Sequence, residues 1–297
     1  MEGRAGVVLQ SHLDMVCQKN NDTIFDFDKE GIKMKIDGDW VRAHGTTLGA
    51  DNGIGVAAIL GVLSSDDIPH PPLEGLFTID EETGMTGALG LQGGFLQGSI
   101  LLNLDTEDDN ELSIGCAGGV DVTSSGAYEG ESVNSEVETL SITVKGGAGG
   151  HSGMDIHKGI ANVNKVMNRL LLVALEEVDF RISSIEGGGL RNAIPRESNC
   201  HLVIDPADRK ALENIIAQEM NFVQSEHRST DSSLTFTIVP ADQLATTVLP
   251  EDEQELLLLA IQTCPVGIHR MSPEIPGLVQ TSNNLARVSV GNGQISL

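Results

Sequence analysis

Three consecutive carboxylates, Asp80, Glu81 and Glu82, follow the apolar run LEGLF almost directly. An apolar run of this length predicts a buried strand, so the stretch TIDEETG crowds like charges at a strand end. In a chain this acidic, a solvated turn is the ordinary explanation. The alternative is a cation at the strand end, where one carboxylate binds the ion and its neighbour acts as general base on a water molecule.

Three further motifs place metal-binding side chains at the ends of predicted elements. His12 ends the run GVVLQSH, and Asp14 lies two residues further, where strand alternation would project both from one face. Asp51 opens a predicted helix in the glycine-rich stretch TTLGADNGIG, and Asp105 ends the run SILLNLD. Each motif alone has a structural explanation, such as an N-cap. Together, one histidine and three carboxylate positions form the mixed nitrogen and oxygen ligand set of a zinc-type site.

The elements that must position these residues form an α/β pattern in the first half of the chain. Apolar runs predict buried strands at 6–12, 73–80 and 99–105, and a small, apolar stretch predicts a helix at 52–65. Ligands in open α/β sheets bind at the carboxyl ends of the strands. His12, the three carboxylates at 80–82 and Asp105 all fall there, which favours a metal site over a set of solvated turns.

A second pattern follows a polar, acidic break at 127–137. Strands are predicted at 139–145, 179–187, 197–205 and 233–239, and helices at 158–178 and 208–227. The order β-α-β-β-α-β is that of a ferredoxin-like α+β unit. We therefore place one domain at 1–134 and a second at 135–297.

Both ends of the chain are abrupt. The last residues, LARVSVGNGQISL, predict a strand, an Asn-Gly type I′ turn and a second strand of only a few residues. The first predicted strand begins close to Met1. These features lead us to expect a fragment or truncated product of a longer protein.

Composition excludes several classes of function. The 297 residues include 43 acidic and 18 basic side chains, a formal net charge of −25, whereas a nucleic-acid-binding protein needs a basic face. No apolar run approaches the roughly 20 residues that span a bilayer, and the start lacks the regions of a signal peptide. The four cysteines include no CxxC pair, which favours reduced thiols. We therefore expect a cytoplasmic protein without nucleic-acid or membrane partners.

Six motifs, taken in order, resemble those of one family: HLDM, GTTLGADNGIG, EETGMTGALGLQ, GCAGG, GGHSGMDIHKG and LRNAIPRE. They are similar to motifs of the aminoacyl-histidine dipeptidases (Xaa-His dipeptidases, carnosinase-like), a branch of the dinuclear zinc aminoacylase and carboxypeptidase superfamily. The resemblance covers nearly the whole chain. It implies an α/β zinc-peptidase catalytic domain, with a mixed sheet and flanking helices, followed by a ferredoxin-like lid domain that is also the candidate surface for a homodimer.

The resemblance also implies roles for individual residues of the first domain. His12 and Asp105 would bind one zinc ion, Asp51 would bridge two ions, and Glu82 would bind the second. Glu81 would be the general base, and Asp14 would orient His12. A cis peptide bond would join Asp51 to Asn52.

The lid motifs imply three more residues. His151 of GGHSG resembles the histidine that stabilises the oxyanion of the tetrahedral intermediate. Asn192 and Arg196 of RNAIPR resemble substrate-binding residues, with Arg196 suited to a bidentate grip on the terminal carboxylate of a dipeptide.

The function implied is hydrolysis of dipeptides, of the Xaa-His type, by water activated between two zinc ions. Manganese and cobalt suit the same ligands. Tripeptides, β-alanyl dipeptides and acylated amino acids remain open as substrates. The family carries a later segment that supplies a last histidine to the second zinc ion, and this sequence has no match for it. An inactive, truncated form is therefore a third interpretation.

Overall fold

The computed structural model describes residues 3–19, 23–106, 110, 112–113, 115–133 and 136–297. The chain divides into two compact units, Met1–Cys116 and Ala117–Leu297. This division lies before the domain boundary placed at 134/135, because Ser125–Ala127 pairs with Gln294–Ser296 in the sheet of the second unit. Among the described residues, no helix is long and apolar enough to cross a membrane.

The first unit contains a three-stranded parallel sheet. Its elements are β1 (Val7–His12), β2 (Met34–Asp37), β3 (Trp40–Ala43), α1 (Ala50–Leu63), β4 (Leu73–Thr78), α2 (Thr86–Leu89) and β5 (Ile100–Asn103). The sheet order is β4-β1-β5, and α1 packs on β1 and β4. The three strands and the helix predicted here from apolar runs are confirmed. The hairpin β2–β3 was not predicted, because its residues are almost all exposed and show no burial period.

The second unit is larger and mainly antiparallel. Its strands are β6 (Ser125–Ala127), β7 (Glu131–Ser132), β8 (Glu138–Lys145), β9 (Phe180–Gly188), β10 (Ser198–Ile204), β11 (Thr235–Pro240), β12 (Thr247–Val248), β13 (Gly267–Met271), β14 (Val279–Asn283), β15 (Arg287–Gly291) and β16 (Gln294–Ser296). Its helices are α3 (Val163–Leu175), α4 (Arg209–Glu226) and α5 (Glu251–Thr263).

A seven-stranded sheet in the order β11-β8-β10-β9-β15-β16-β6 organises this unit. The elements β8-α3-β9-β10-α4-β11 form the predicted ferredoxin-like order, which is confirmed. Alternation along β8 explains the core: Leu140, Ile142 and Val144 are fully buried and belong to one apolar cluster with residues of α3, α4 and α5. The partly exposed Ser141 and Thr143 alternate with them, as side chains on the opposite face of a strand do.

Two local features bear on the sequence predictions. The helix predicted at 158–178 is too long: α3 begins at Val163, where the side chain of Asn162 accepts a hydrogen bond from the Lys165 amide, and a short 3₁₀ turn occupies Ile156–Lys158. The Asn-Gly turn is confirmed, since Asn292 and Gly293 have φ angles of 52° and 77° between β15 and β16.

Candidate metal centre

The parallel sheet of the first unit places its polar residues at one edge. Strands β4 and β5 both run parallel to β1, so their carboxyl ends meet. His12 is the last residue of β1, the glutamate pair follows β4, and Asp105 follows β5. Asp51 reaches the same edge from the first turn of α1. The structure therefore brings together the six predicted site residues of this unit.

His12 lies at the centre of this cluster and is only 1% exposed. Its Nδ1 lies 2.9 Å from the carbonyl oxygen of Asp14, which can only accept, so Nδ1 carries a proton. Its Nε2 lies 3.0 Å from Asp51 Oδ1 and 3.5 Å from Asp105 Oδ1. In the neutral ring, the Nε2 lone pair would therefore face two carboxylate oxygens. That arrangement is unfavourable unless a proton or a cation lies between them.

Two overlapping sets of atoms could hold a cation here. Each set contains three ligand atoms, one from each residue, that lie within 4.8 Å of one another. The first set is His12, Asp51 and Asp105, and the second is His12, Glu81 and Glu82. The donor set of imidazole nitrogen and carboxylate oxygen is one that zinc accepts. The residues present therefore fit the implied metal.

The electrostatics of the cluster agree with this fit. Burial raises the pKa values of Glu81, Glu82 and Asp105, and neighbouring carboxylates raise them further, although His12 opposes part of the rise. Burial alone would lower the pKa of His12, but Asp105 and the other carboxylates outweigh it, and the pKa is raised. The cluster thus carries an excess of negative charge that a divalent cation would neutralise.

Asp14 connects the histidine to the glutamate pair. Its two carboxylate oxygens accept hydrogen bonds from the amides of Glu81 and Glu82, each at 3.1 Å. Burial opposes its ionisation, but these donors outweigh burial and the pKa of Asp14 is lowered. The predicted strand geometry is wrong here, because β1 ends at His12. It is the Asp14 carbonyl, rather than its carboxylate at 3.4 Å, that lies nearest to His12 Nδ1.

Asp80, the first of the three consecutive carboxylates, shapes the turn. It has a positive φ of 60°, and its carboxylate accepts hydrogen bonds from the hydroxyls of Thr83 and, at 2.7 Å, Thr86. These bonds lower the pKa of Asp80, led by the bond from Thr83. Both explanations of TIDEETG therefore apply: Asp80 closes a solvated turn, and the next two carboxylates enter the cluster.

Asn52 is a site residue that sequence reasoning missed. Its side chain is buried, Nδ2 donates to Asp105 Oδ1 at 2.6 Å, and Oδ1 accepts from the Gly55 amide at 3.1 Å. The cis peptide bond implied between Asp51 and Asn52 is present. The only sequence signal for Asn52 was its place after Asp51 in GADNGIG.

A pocket of about 310 Å³ opens onto the cluster within the first unit. Its lining residues are Val16, Thr47, Leu48, Gly49, Ala50, Asp51 and Glu82. The carboxylates of Asp51 and Glu82 thus share one cavity, and the charge of Asp51 is the largest neighbouring contribution to the raised pKa of Glu82 after burial.

The other three predicted residues lie in the second unit and are exposed. His151 pairs with Ala193 in an isolated bridge, and the Ser152 amide donates to the Asn192 carbonyl oxygen at 2.7 Å. Arg196 Nε donates to the Gly147 carbonyl oxygen at 3.1 Å. The segments that carry His151, Asn192 and Arg196 are therefore held against one another.

The His151 ring has a defined tautomer. Its Nδ1 accepts hydrogen bonds from the amides of Gly153 and Met154, at 3.1 and 3.2 Å. Since an amide can only donate its proton, Nδ1 offers a lone pair and the neutral ring carries its proton on Nε2. His151 is therefore arranged as a hydrogen-bond donor through Nε2.

Comparisons with known proteins agree with this architecture. Residues 142–231 match a family model described as a peptidase dimerisation domain. The chain is 42% identical over 299 residues to the cytosol non-specific dipeptidase of Escherichia coli (strain K12), covering 100% of this chain and 61% of that protein. The crystal structure of aminoacylhistidine dipeptidase from Vibrio alginolyticus matches 100% of this chain and 60% of its own, with 42% identity and a TM-score of 0.67. These matches confirm the fold class and the family resemblance, and the chain spans about three-fifths of the length of both relatives.

Proposed function

We propose that this chain catalyses metal-dependent hydrolysis of dipeptides. The proposal is supported by its similarity, over its whole length, to aminoacylhistidine dipeptidase and cytosol non-specific dipeptidase. One observation in the chain itself carries the proposal. The Nε2 of the buried His12 faces the carboxylates of Asp51 and Asp105, while Nδ1 is engaged by a carbonyl oxygen. Such a histidine is poised to bind a cation through Nε2.

The ligands would divide between two cations. His12 and Asp105 would hold the first, Glu82 would hold the second, and Asp51 would contribute to both. Asp51 shares a ligand set with His12 and Asp105, and it lines one pocket with Glu82. Zinc is the cation proposed, and manganese and cobalt accept the same donors. When bound, such a cation acts as a Lewis acid and lowers the pKa of water. Asp14 holds the His12 ring through its carbonyl oxygen and fixes the glutamate pair through its carboxylate.

Glu81 is the general base. It takes a proton from the attacking water, and it then returns the proton to the amine that leaves when the peptide bond breaks. Burial and, after it, the charge of Asp105 raise the pKa of Glu81, which is the direction that favours a proton acceptor, while a bound cation would act in the opposite direction. Glu81 also lies within 4.8 Å of ligand atoms of His12 and Glu82, so metal content and turnover are measured together when Glu81 is replaced.

We assign substrate contacts to three residues of the second unit. His151 would donate from Nε2 to the oxyanion, a role that the hydrogen bonds accepted by its Nδ1 support. Arg196 and Asn192 bind the substrate, with Arg196 pairing with the terminal carboxylate. The hydrogen bond from Arg196 Nε to the Gly147 carbonyl oxygen restrains the guanidinium group.

Substrate range, partners and location follow from the relatives. We propose that the substrates are Xaa-His dipeptides within a wider range of dipeptides. One relative is named an aminoacylhistidine dipeptidase, and the other is named a non-specific dipeptidase. The region 142–231 would form a homodimer, as its match to a dimerisation domain suggests. A cytoplasmic location is supported by the cytosolic name of the Escherichia coli relative.

The test is metal-dependent hydrolysis by the purified chain. The protein is stripped with a chelator, reloaded with zinc, manganese or cobalt, and assayed on dipeptides with and without histidine, tripeptides and acylated amino acids. We expect chelator-sensitive release of amino acids from dipeptides, abolished by His12→Gln and preserved in the control His70→Gln, whose side chain is exposed. A metal-loaded protein that hydrolyses none of these substrates would contradict the proposal.

A further inference from the structure

Asp231 is a buried carboxylate with no part in the proposed chemistry. It lies in the connection between α4 and β11, and its side chain is fully buried. Its Oδ1 accepts a hydrogen bond from the Ala148 amide at 2.8 Å, and its Oδ2 accepts one from the Ala161 amide at 2.9 Å. His227 Nδ1 lies 3.8 Å from Oδ2. Burying a carboxylate costs free energy unless hydrogen-bond donors compensate it. The two amides provide that compensation here, and they show which part of the chain Asp231 holds in place.

The two amides bound by Asp231 bracket the segment that carries His151. Between Ala148 and Ala161 the backbone forms the bridge to Ala193, a turn in which the Asp155 amide donates to the His151 carbonyl oxygen at 2.8 Å, and the 3₁₀ turn at Ile156–Lys158. One carboxylate therefore ties together the two ends of a segment that contains little regular structure.

Inside the segment, further contacts fix the histidine to its own backbone. Asp155 Oδ2 accepts from the His151 amide at 2.7 Å, and the His151 ring accepts from the Gly153 and Met154 amides. The ring is thus held within the segment. The segment is held at its two ends by Asp231 and in its middle by the bridge to Ala193. A change at Asp231 would reach the ring through the short stretch of backbone between Ala148 and His151.

We propose that Asp231 is a positioning residue: it closes the 148–161 segment into a defined loop and thereby sets where His151 presents its Nε2 proton. The proposal rests on the proposed role of His151 in hydrolysis. Aspartate is required because both of its oxygens accept, one for each amide. In asparagine one oxygen becomes an NH₂ donor, which would face an amide donor and break one of the two ties.

The experiment is a double-mutant cycle in the full chain between Asp231→Asn and His151→Ala. In the wild-type background, Asp231→Asn should lower kcat for dipeptide hydrolysis about tenfold or more, because a small displacement of a catalytic group is costly. Metal content should not change. In the His151→Ala background the same substitution should cost less than about twofold, because residues that act through one another are not additive.

Gln254→Met provides a matched control for lost stability. Gln254 is also buried, and it also binds backbone, accepting from the Ile182 amide at 2.6 Å and donating to the Phe180 carbonyl oxygen at 3.0 Å. Both partners belong to β9 rather than to the His151 loop. Gln254→Met should lower the Tm while kcat stays at the wild-type value.

The outcomes separate the two proposals. If His151→Ala impairs hydrolysis but Asp231→Asn does not, or if Asp231→Asn costs the same factor in both backgrounds, the positioning role is overturned. If His151→Ala is fully active, the proposed role of His151 fails first. Should Asp231→Asn not fold, hydrogen exchange of the wild-type protein decides: the Ala148 and Ala161 amides should be as protected as those of β8, and rapid exchange at both would overturn the role.

Discussion

Asn52 offers a sharp test of the metal centre, because it supports the ligands without being one. Replacing it by alanine removes the donor at 2.6 Å from Asp105 Oδ1 and the acceptor of the Gly55 amide. The site is buried, with Asn52 3% exposed, so water does not readily replace either bond. We predict that Asn52→Ala weakens zinc binding while leaving every ligand side chain in place.

The magnitude follows from the bond to Asp105. A hydrogen bond to a charged group contributes about 1.5–3 kcal/mol. Since about 1.4 kcal/mol corresponds to a factor of ten, its loss weakens metal affinity about 10- to 100-fold, which is the range typical for residues that support metal ligands. The unpaired Gly55 amide adds a loss of folding stability of about 1–3 kcal/mol.

The assay is competition between the protein and a fluorescent zinc chelator at neutral pH, with thermal denaturation alongside. Asn168→Ala is the matched control, since Asn168 is equally buried and donates to the Leu258 carbonyl oxygen at 3.1 Å in the second unit. It should lower the Tm and leave zinc affinity unchanged. If Asn52→Ala binds zinc within about twofold of the wild-type affinity, Asn52 does not support the metal ligands.

Three further predictions concern the second unit. Lys165→Met should lower folding stability by about 1–3 kcal/mol, measured by denaturant unfolding, because Lys165 Nζ donates to three carbonyl oxygens at the C-terminal end of α5. Arg169→Met should destabilise the protein at neutral pH but not in strong acid: Arg169 lowers the pKa of Glu226, so the stabilisation exists above the ordinary pKa of glutamate and is lost as pH falls through the lowered value. Unfolding of both proteins across pH checks this. Cys200 is fully buried, which raises its pKa, and it should react with a thiol reagent only after denaturation.

Periodicity and strand ends made much of the fold predictable. The strands of the parallel sheet are apolar runs, and the ferredoxin-like unit alternates as amphipathic strands and helices do, so local sequence carried both patterns. Ligands bind at the carboxyl ends of parallel strands, and this rule predicted that the polar residues there lie together at one edge of the sheet. These residues are His12, Glu81, Glu82 and Asp105. The helix α5 was missed, although the acidic residues of its first turn, which follow Pro250, are a helix-start signal.

The sequence alone could not predict contacts between residues that lie far apart along the chain. Asn52 meets Asp105 across 53 positions, and Asp231 meets Ala148 across 83, so no local pattern encodes either role. Asp14 shows a subtler failure: its spacing from His12 was right, but the strand ended sooner than expected, and the carbonyl took the place assigned to the carboxylate.

The substitution Glu81→Gln, measured for both metal content and turnover, tests the proposed metal-dependent hydrolysis most directly. Glutamine keeps the size of the side chain but cannot accept the proton of water. If Glu81 is the general base, the variant keeps wild-type metal content and its kcat for dipeptide hydrolysis falls about 10²- to 10⁴-fold, the usual contribution of a general base. Wild-type turnover in the metal-loaded variant would contradict the assignment, and loss of bound metal together with activity would make Glu81 a ligand instead of the base.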